Sequence, residues 1–335
     1  MRKGSKKYTM AENNKECIGC GRCTKVCKFL NKYGINSDEY RHMPELAYSC
    51  YLCSECVRVC PVGIDGSEIS KEMRNNFIEG GGHLKGAGYK FLLMEKKDYL
   101  FKNYKNASYK SVLFTGCNFP AYFPKTTQII ASRLMNEAGI GMVADCCGKP
   151  VSELGMSDKG ETIIENLEKR LQDCCAEEII TLCPNCYYYL KDRLDVRVVM
   201  IYEKLKELKM KTSPIDEDID VFIPCPDKID GQILEGIEGY AVRGRMKKIQ
   251  GIQCCSAGGS ASFMEPLITK SLLEDFSKVK KGKIYTYCAT CSGMIAKSGT
   301  ETEHILCRLF DSEEKSAEGI SSLMNRAACK YKQII

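Results

Sequence analysis

Short, largely apolar runs that end at a cysteine set the rhythm of the chain from residue 111 onward. SVLFTGC (111–117), GMVADCC (141–147) and EIITLCPNC (178–186) are three of them. DVFIPC (220–225), KIQGIQCC (248–255) and KIYTYCATC (283–291) are three more. Runs this short with little polar alternation predict buried strands of a parallel sheet. Residues 125–138, 158–175 and 263–278 carry apolar positions at helical spacing. Strands alternating with helices predict small parallel sheets with flanking helices. The cysteines then emerge at or just beyond the carboxyl ends of strands, where open sheets of this kind bind ligands.

The first third has a different pattern. Residues 38–40 and 43–48 read as amphipathic helix, and 67–78 as a further helix with Ser67 as its N-cap. Gly80, Gly81, Gly82, Gly86 and Gly88 lack G-x-G-x-x-G spacing and read as linker. Residues 85–110 hold seven lysines among Tyr89, Phe91, Tyr99, Phe101, Tyr104 and Tyr109. They read as an amphipathic helix whose lysine stems cover an apolar face, or as a dock for an acidic partner or a membrane surface.

Composition changes this picture at one point. The chain has 335 residues, 44% of them hydrophobic, enough for two or three cores, but it also has 22 cysteines. Secreted disulfide scaffolds are usually short, and no apolar stretch follows MRKGSKKYTM. The expectation is a cytoplasmic protein with no signal peptide and no transmembrane segment of its own, in which paired cysteines serve metal or redox chemistry. The formal charge of +6 treats each cysteine as neutral. Two dipositive clusters on eight thiolates bring it to about +2, so nucleic acid is not an expected partner.

Cys17, Cys20, Cys23 and Cys27 form one C-x2-C-x2-C-x3-C run; Cys50, Cys53, Cys56 and Cys60, followed by Pro61, form another. Two such runs are the signature of two [4Fe–4S] cubane clusters, each holding three cysteines from one run and the fourth from the other. Cys17, Cys20, Cys23 and Cys60 are assigned to one cluster; Cys50, Cys53, Cys56 and Cys27 to the second. Structural zinc uses paired knuckles and gives no reason for matched runs of four. Lys28 stands where proline often follows the fourth cysteine.

A second cysteine pattern repeats. Cys117, Cys146, Cys147, Cys183 and Cys186 recur as Cys225, Cys254, Cys255, Cys288 and Cys291, offset by 108 residues for the first three and 105 for the last two. Five positions recurring with one small deletion point to a duplicated domain. Cys174 and Cys175 are adjacent without a repeat partner and read as structural cysteines at the end of a helix. Cys307 and Cys329 read as packing or surface thiols. His42, His83 and His304 read as structural.

CCGKPVSELG (146–155), CPNCYYYLK (183–191) and CCSAGG (254–259) resemble the CCG domain of heterodisulfide reductase catalytic subunits. Relatives with this domain also serve glycerol-3-phosphate, lactate and glycolate dehydrogenases and thiol:fumarate reductase. The N-terminal region resembles the α-helical ferredoxin domain of heterodisulfide reductase and succinate dehydrogenase subunits. The domain order most resembles the D subunit of heterodisulfide reductase and the C subunit of glycerol-3-phosphate dehydrogenase. The chain departs from the family at Ser256, which stands in the glycine position of the second motif. It also departs at Ile223-Pro224-Cys225-Pro226-Asp227, which lacks the usual histidines.

The resemblance implies an α+β/α chain: an N-terminal α-helical ferredoxin domain (1–80), a linker or docking segment (81–110) and two duplicated α/β CCG domains with small parallel sheets (111–217 and 218–335). It implies that each five-cysteine set binds a noncubane [4Fe–4S] cluster and that a disulfide is cleaved between the two. The ten CCG cysteines act through those clusters. The alternative is a non-catalytic relay subunit of a flavoprotein dehydrogenase, passing electrons to quinone or ferredoxin. With no flavin or nicotinamide fold in the sequence, a flavoprotein or another electron-donor subunit is the expected partner. A membrane cytochrome would hold the chain at the inner face of the membrane.

Overall fold

The computed structural model describes residues 15–279 and 282–331, so the MRKGSKKYTM segment lies outside the described residues. Among the described residues, nine short strands form two sheets. β1 (Asn103–Asn106), β2 (Ser111–Phe114), β3 (Gly141–Ala144), β4 (Glu178–Thr181) and β5 (Arg197–Met200) make the first, in the order β1-β3-β2-β4-β5. β6 (Ile219–Phe222), β7 (Met246–Lys248), β8 (Ile284–Thr286) and β9 (Thr302–His304) make the second, in the order β7-β6-β8-β9. All neighbours are parallel except β1, which runs antiparallel to β3. The two sheets thus share one order, β3-β2-β4-β5 matching β7-β6-β8-β9.

Alternation along the central strands divides the packing. Leu113 and Ile180 point into a core that also takes in Val221 and Tyr285 from the second sheet and Ile305 from the helix that follows it. Val112, Phe114 and Ile179 face the other way, onto Leu167 and Leu171 of the helix Ser157–Asp173. Phe222 and Ile284 likewise face away from the shared core, onto Phe276 and Ile295. One apolar core therefore lies between the sheets and fastens both units together, because residues two apart on a strand share a face.

Residues 15–80 are helical, without a described strand. Their core of Phe29, Leu30, Tyr40, Ile64 and Ile69 is continuous with Cys254, Ala261, Ile268 and Leu272 of the second unit. The helix Gly66–Glu79 is capped by Asp65, whose carboxylate accepts from the Ser67 N–H at 2.8 Å and its hydroxyl at 2.7 Å. Ser67 thus sits inside the first turn and is not the cap. Residues 43–48 form the tighter 3₁₀ turn Pro44–Ser49, started by proline.

Two other expectations change. The strand expected over 248–255 is only Met246–Lys248, half-buried to exposed at a sheet edge. The chain then leaves the sheet as an irregular segment, with Gly251 at φ 81°. Within 85–110 the helix covers only Ala87–Lys96, while Asn103 pairs with Ala144 and Asn106 with Met142 as β1. Tyr89 and Tyr99 are buried there, whereas Phe91 is exposed.

Candidate iron–sulfur centres

The two four-cysteine runs fold into like loops. Gly19 and Gly21 have φ of 66° and 63°, and Leu52 and Ser54, at the same offsets from Cys50, have 51° and 58°. This left-handed backbone turns N–H groups inward. Gly19 N–H donates to Cys17 Sγ, and Leu52 N–H to Cys50 Sγ, both at 3.4 Å. Ile64 N–H reaches Cys60 Sγ at 3.3 Å. Glycine takes this conformation without cost, whereas Leu52 and Ser54 hold it under strain.

The sulfurs of the two runs lie in two groups. Cys17, Cys20, Cys23 and Cys60 line one pocket, closed by Ile18, Pro61, Val62 and Ile64. Cys20 is exposed, so this group lies at the surface. Cys27, Cys50, Cys53 and Cys56 lie within electrostatic reach of one another, deeper in the fold. Burial and then the neighbouring Cys50 and Cys53 push the Cys56 thiol up. Among the described residues, no three Cys, His, Asp or Glu side chains close around a single ion-sized point.

The five cysteines of the first repeat follow one another in space. Cys117 neighbours Cys146, Cys146 neighbours Cys147, Cys147 neighbours Cys186, and Cys186 neighbours Cys183, all as free thiols. In the second repeat Cys291 lies 3.2 Å from Cys255 and bonds Cys288, while Cys225 and Cys254 face the same group. Bonds from Cys146 and Cys186 bring the Cys147 thiol down to about 5, and those from Cys183 and Cys291 hold Cys288 well below the ordinary thiol range. Their partners Cys186 and Cys291 are pushed up by the same neighbours and by burial.

Two links join the groups. The free thiols of Cys183 and Cys288, equivalent positions of the two repeats, are neighbours across the interface between units. Cys53 of the deeper ferredoxin group neighbours the thiol of Cys254 of the second repeat, which together with Lys228 lowers Cys53 to about 6. The order in space is therefore outer ferredoxin group, inner ferredoxin group, second repeat, first repeat. Asn118 helps fix the interface, donating to Thr290 Oγ1 at 2.8 Å and accepting from Arg326 Nη2 at 2.8 Å.

The remaining singled-out residues lie elsewhere. Cys174 caps the helix end and is half-buried, while Cys175 has φ 58° and is exposed, so it is not a buried structural thiol. Cys307 and Cys329 are buried. His304 caps Ile305–Leu309 by accepting from the Leu306 N–H at 3.1 Å, beneath Phe119; His42 and His83 are exposed. Sequence reasoning missed Gln253, Lys228, Arg74 and Asn118, for none of them belongs to a motif. The one signal was Lys28, in a position often held by proline.

The donor sets fit iron–sulfur clusters rather than single ions. Four thiols line one pocket, no three ligand side chains among the described residues close around a single ion, and inward N–H groups are available to cluster sulfur. Ser256 adds to this fit. Its hydroxyl is buried beside Cys254 and Cys255 without a hydrogen-bond partner in the protein, while its N–H donates to Cys254 Sγ at 3.3 Å.

The comparisons with known proteins agree on the domain types. Residues 16–64 match the 4Fe-4S dicluster domain, and residues 111–191 and 239–296 match the cysteine-rich domain. An uncharacterized iron–sulfur protein of Methanococcus maripaludis is 23% identical over 348 positions, covering 85% of this chain and 68% of that protein. The structure of Picrophilus torridus aspartate racemase, 12% identical, aligns over 65% of this chain and 100% of its own. The TM-score is 0.34, too slight a likeness to carry an argument. Among the described residues no helix is long and apolar enough to cross a membrane.

Proposed function

We propose that this chain, an iron–sulfur protein with heterodisulfide reductase-like domains, joins a 4Fe-4S dicluster domain to two duplicated cysteine-rich domains and delivers electrons to a disulfide. The ferredoxin domain is residues 1–80, followed by a linker or docking segment, 81–110, whose β1 is built into the first sheet, and the CCG units, 111–217 and 218–335. Cys17, Cys20, Cys23 and Cys60 would hold one cubane [4Fe–4S] cluster, and Cys27, Cys50, Cys53 and Cys56 the other. The two five-cysteine sets would each hold a noncubane [4Fe–4S] cluster. The observation that carries this reading is the meeting of Cys183 and Cys288, which brings two complete sets together at one junction. Clusters supply single electrons, and two adjacent ones supply the pair that a disulfide needs. The overall change is RSSR′ plus two electrons and two protons to RSH and R′SH.

The exposed Cys20 and Ile18 mark where a flavoprotein or other donor would deliver electrons. A membrane cytochrome partner would place this otherwise cytoplasmic chain at the inner membrane face. One observation favours a second reading. Eight of the ten CCG cysteines are buried, which suits a relay subunit of a glycerol-3-phosphate, lactate or glycolate dehydrogenase feeding quinone or ferredoxin. Anaerobic reconstitution followed by turnover with reduced viologen decides. More than about eight irons per chain and two thiols formed per disulfide consumed support the first reading. Full iron loading with electrons accepted by a quinone analogue, and no disulfide cleaved, supports the second. Iron at or below about eight sinks the assignment of the CCG sets.

A further inference from the structure

The contact between Cys53 and Cys254 is framed by two residues from the second unit. Gln253, immediately before Cys254, is buried. Its side-chain nitrogen lies 3.5 Å from Cys27 Sγ and 3.7 Å from Cys53 Sγ. Its carbonyl oxygen accepts from the Lys28 backbone N–H at 2.8 Å. That bond fixes the amide orientation, because the oxygen must face the N–H and the two N–H donors must then face the sulfurs. A proline at position 28 could not make the bond, since it has no N–H. Lys28 also anchors itself to the second unit, through Ser271 at 2.8 Å and Asp275 at 2.6 Å.

Lys228 follows Cys225 by three residues, and its side chain is only 7% exposed. Its ammonium group donates to Glu55 Oε2 at 3.0 Å and to the backbone carbonyl of Gln253. Cys225, Cys53 and Cys254 all lie within its electrostatic reach. Glu55 offsets part of that charge and is shared with Arg58. A buried ammonium beside thiolates of both groups acts at low dielectric, where its influence is larger than at a surface.

We infer that Gln253 and Lys228 are positioning residues of an electron-transfer junction between the inner ferredoxin cluster and the second CCG cluster, with Lys28 orienting Gln253. N–H donors to cluster-bound sulfur and nearby positive charge both stabilise the reduced, more negative state and so raise the potential. Gln253 acts on the inner ferredoxin group alone, whereas Lys228 acts on both sides of the contact. The inference rests on the assignment of Cys27, Cys50, Cys53 and Cys56 to one cluster.

The test is a redox titration of the anaerobically reconstituted full chain, followed by electron paramagnetic resonance. In Gln253→Leu one cubane signal is expected to move to lower potential while the other stays in place. Gln253→Glu is expected to move the same signal further, because it adds negative charge as well as removing N–H donors. Lys228→Gln is expected to lower that cubane signal and one CCG signal together. Full-iron Gln253 and Lys228 variants with unmoved potentials overturn the inference and leave the cluster assignment standing, as does a uniform shift of every signal. If Gln253→Leu fails to retain iron, Gln253→Glu and Lys228→Gln decide by the same criteria; loss of iron from all three overturns a tuning role in favour of a structural one. A wild-type protein without two cubane signals overturns both the assignment and the inference.

Discussion

Arg74 tests how the ferredoxin region is fastened to the rest of the molecule. It lies in the helix Gly66–Glu79, and its side chain is fully buried. The guanidinium donates to the carbonyls of Ala47 at 2.9 Å, Cys50 at 2.8 Å, Glu153 at 2.8 Å and Gly259 at 3.0 Å, and lies over the Tyr48 ring at 4.8 Å. One side chain therefore links the ferredoxin region to both sheet units. The contact is close: a Cβ at Gly258 would stand 2.1 Å from the Tyr51 carbonyl oxygen. In Arg74→Met, four bonds from a charged donor are lost, about 6–12 kcal/mol gross at 1.5–3 each. Burying the guanidinium itself costs several kcal/mol, which the variant recovers, so the net loss is about 3–5 kcal/mol. Hydrogen exchange of the anaerobic holoprotein reads it. Amides in 44–52, 66–79, 153–156 and 256–263 are expected to exchange a hundredfold faster or more, roughly one decade per 1.4 kcal/mol. Arg74→Lys is expected to fall between the two, since one ammonium cannot satisfy four spread carbonyls. Less than tenfold acceleration in Arg74→Met would refute the reasoning.

Two further outcomes are expected. Ser256 occupies φ 65° where its counterpart Gly148 has φ 87°. Ser256→Gly should stabilise the protein by roughly 1 kcal/mol through relief of a left-handed backbone; a lowered denaturation midpoint would mean that the hydroxyl makes a bond worth more than the strain. His304 is held down to about 3 by burial, against an ordinary 6.5. The unfolded chain then binds the proton more tightly, so the stability is fully present above pH 6.5 and is lost as pH falls toward about 3. Between pH 8 and 6 the wild type should lose about 0.8 kcal/mol from this group, and His304→Asn, which keeps a side-chain cap, should not. Equal pH slopes for the two in denaturant unfolding would discard this account.

The parts legible in the sequence are those encoded locally. Ligand spacing within CIGCGRCTKVC or CYLCSECVRVC fixes a loop of a few residues, and the apolar runs before Cys117, Cys146, Cys183, Cys225 and Cys288 are strands β2, β3, β4, β6 and β8. Edge elements were not legible. β9 is the polar Thr302–His304, held by its pairing with β8, and β7 is cut short by the chain's departure toward the ferredoxin region. The docking was hidden for a further reason. Lys28 with Gln253, Tyr51 with Thr269, and Arg74 with Gly259 join residues about 200 positions apart, and such pairs leave no periodicity to read. Lys28 alone carried a mark, as a departure from proline, and its backbone N–H gives that departure a physical reason.

The two five-cysteine sets share one spacing pattern, but the molecule uses them unequally. Position 145 of the first unit corresponds to 253 of the second by the 108-residue offset, and the residues differ. Asp145 is buried and turns to its own unit: its carboxylate accepts from Tyr104 at 2.6 Å, from Arg170 at 3.1 Å and from the Cys146 N–H at 2.7 Å. Gln253 turns instead to the sulfurs of Cys27 and Cys53. A carboxylate in place of Gln253 would set a negative charge against thiolates, and an amide in place of Asp145 would leave Arg170 without its buried partner. This one exchange lets the cysteine pair of the second unit, and not that of the first, face the ferredoxin sulfurs. Under the proposed function, electrons then reach the second set first and pass to the first set where Cys183 meets Cys288. A two-electron acceptor at that junction would draw one electron from each side, so the first set fills only through the second. Loss of the second set should therefore silence the first, whereas loss of the first should leave the second reducible.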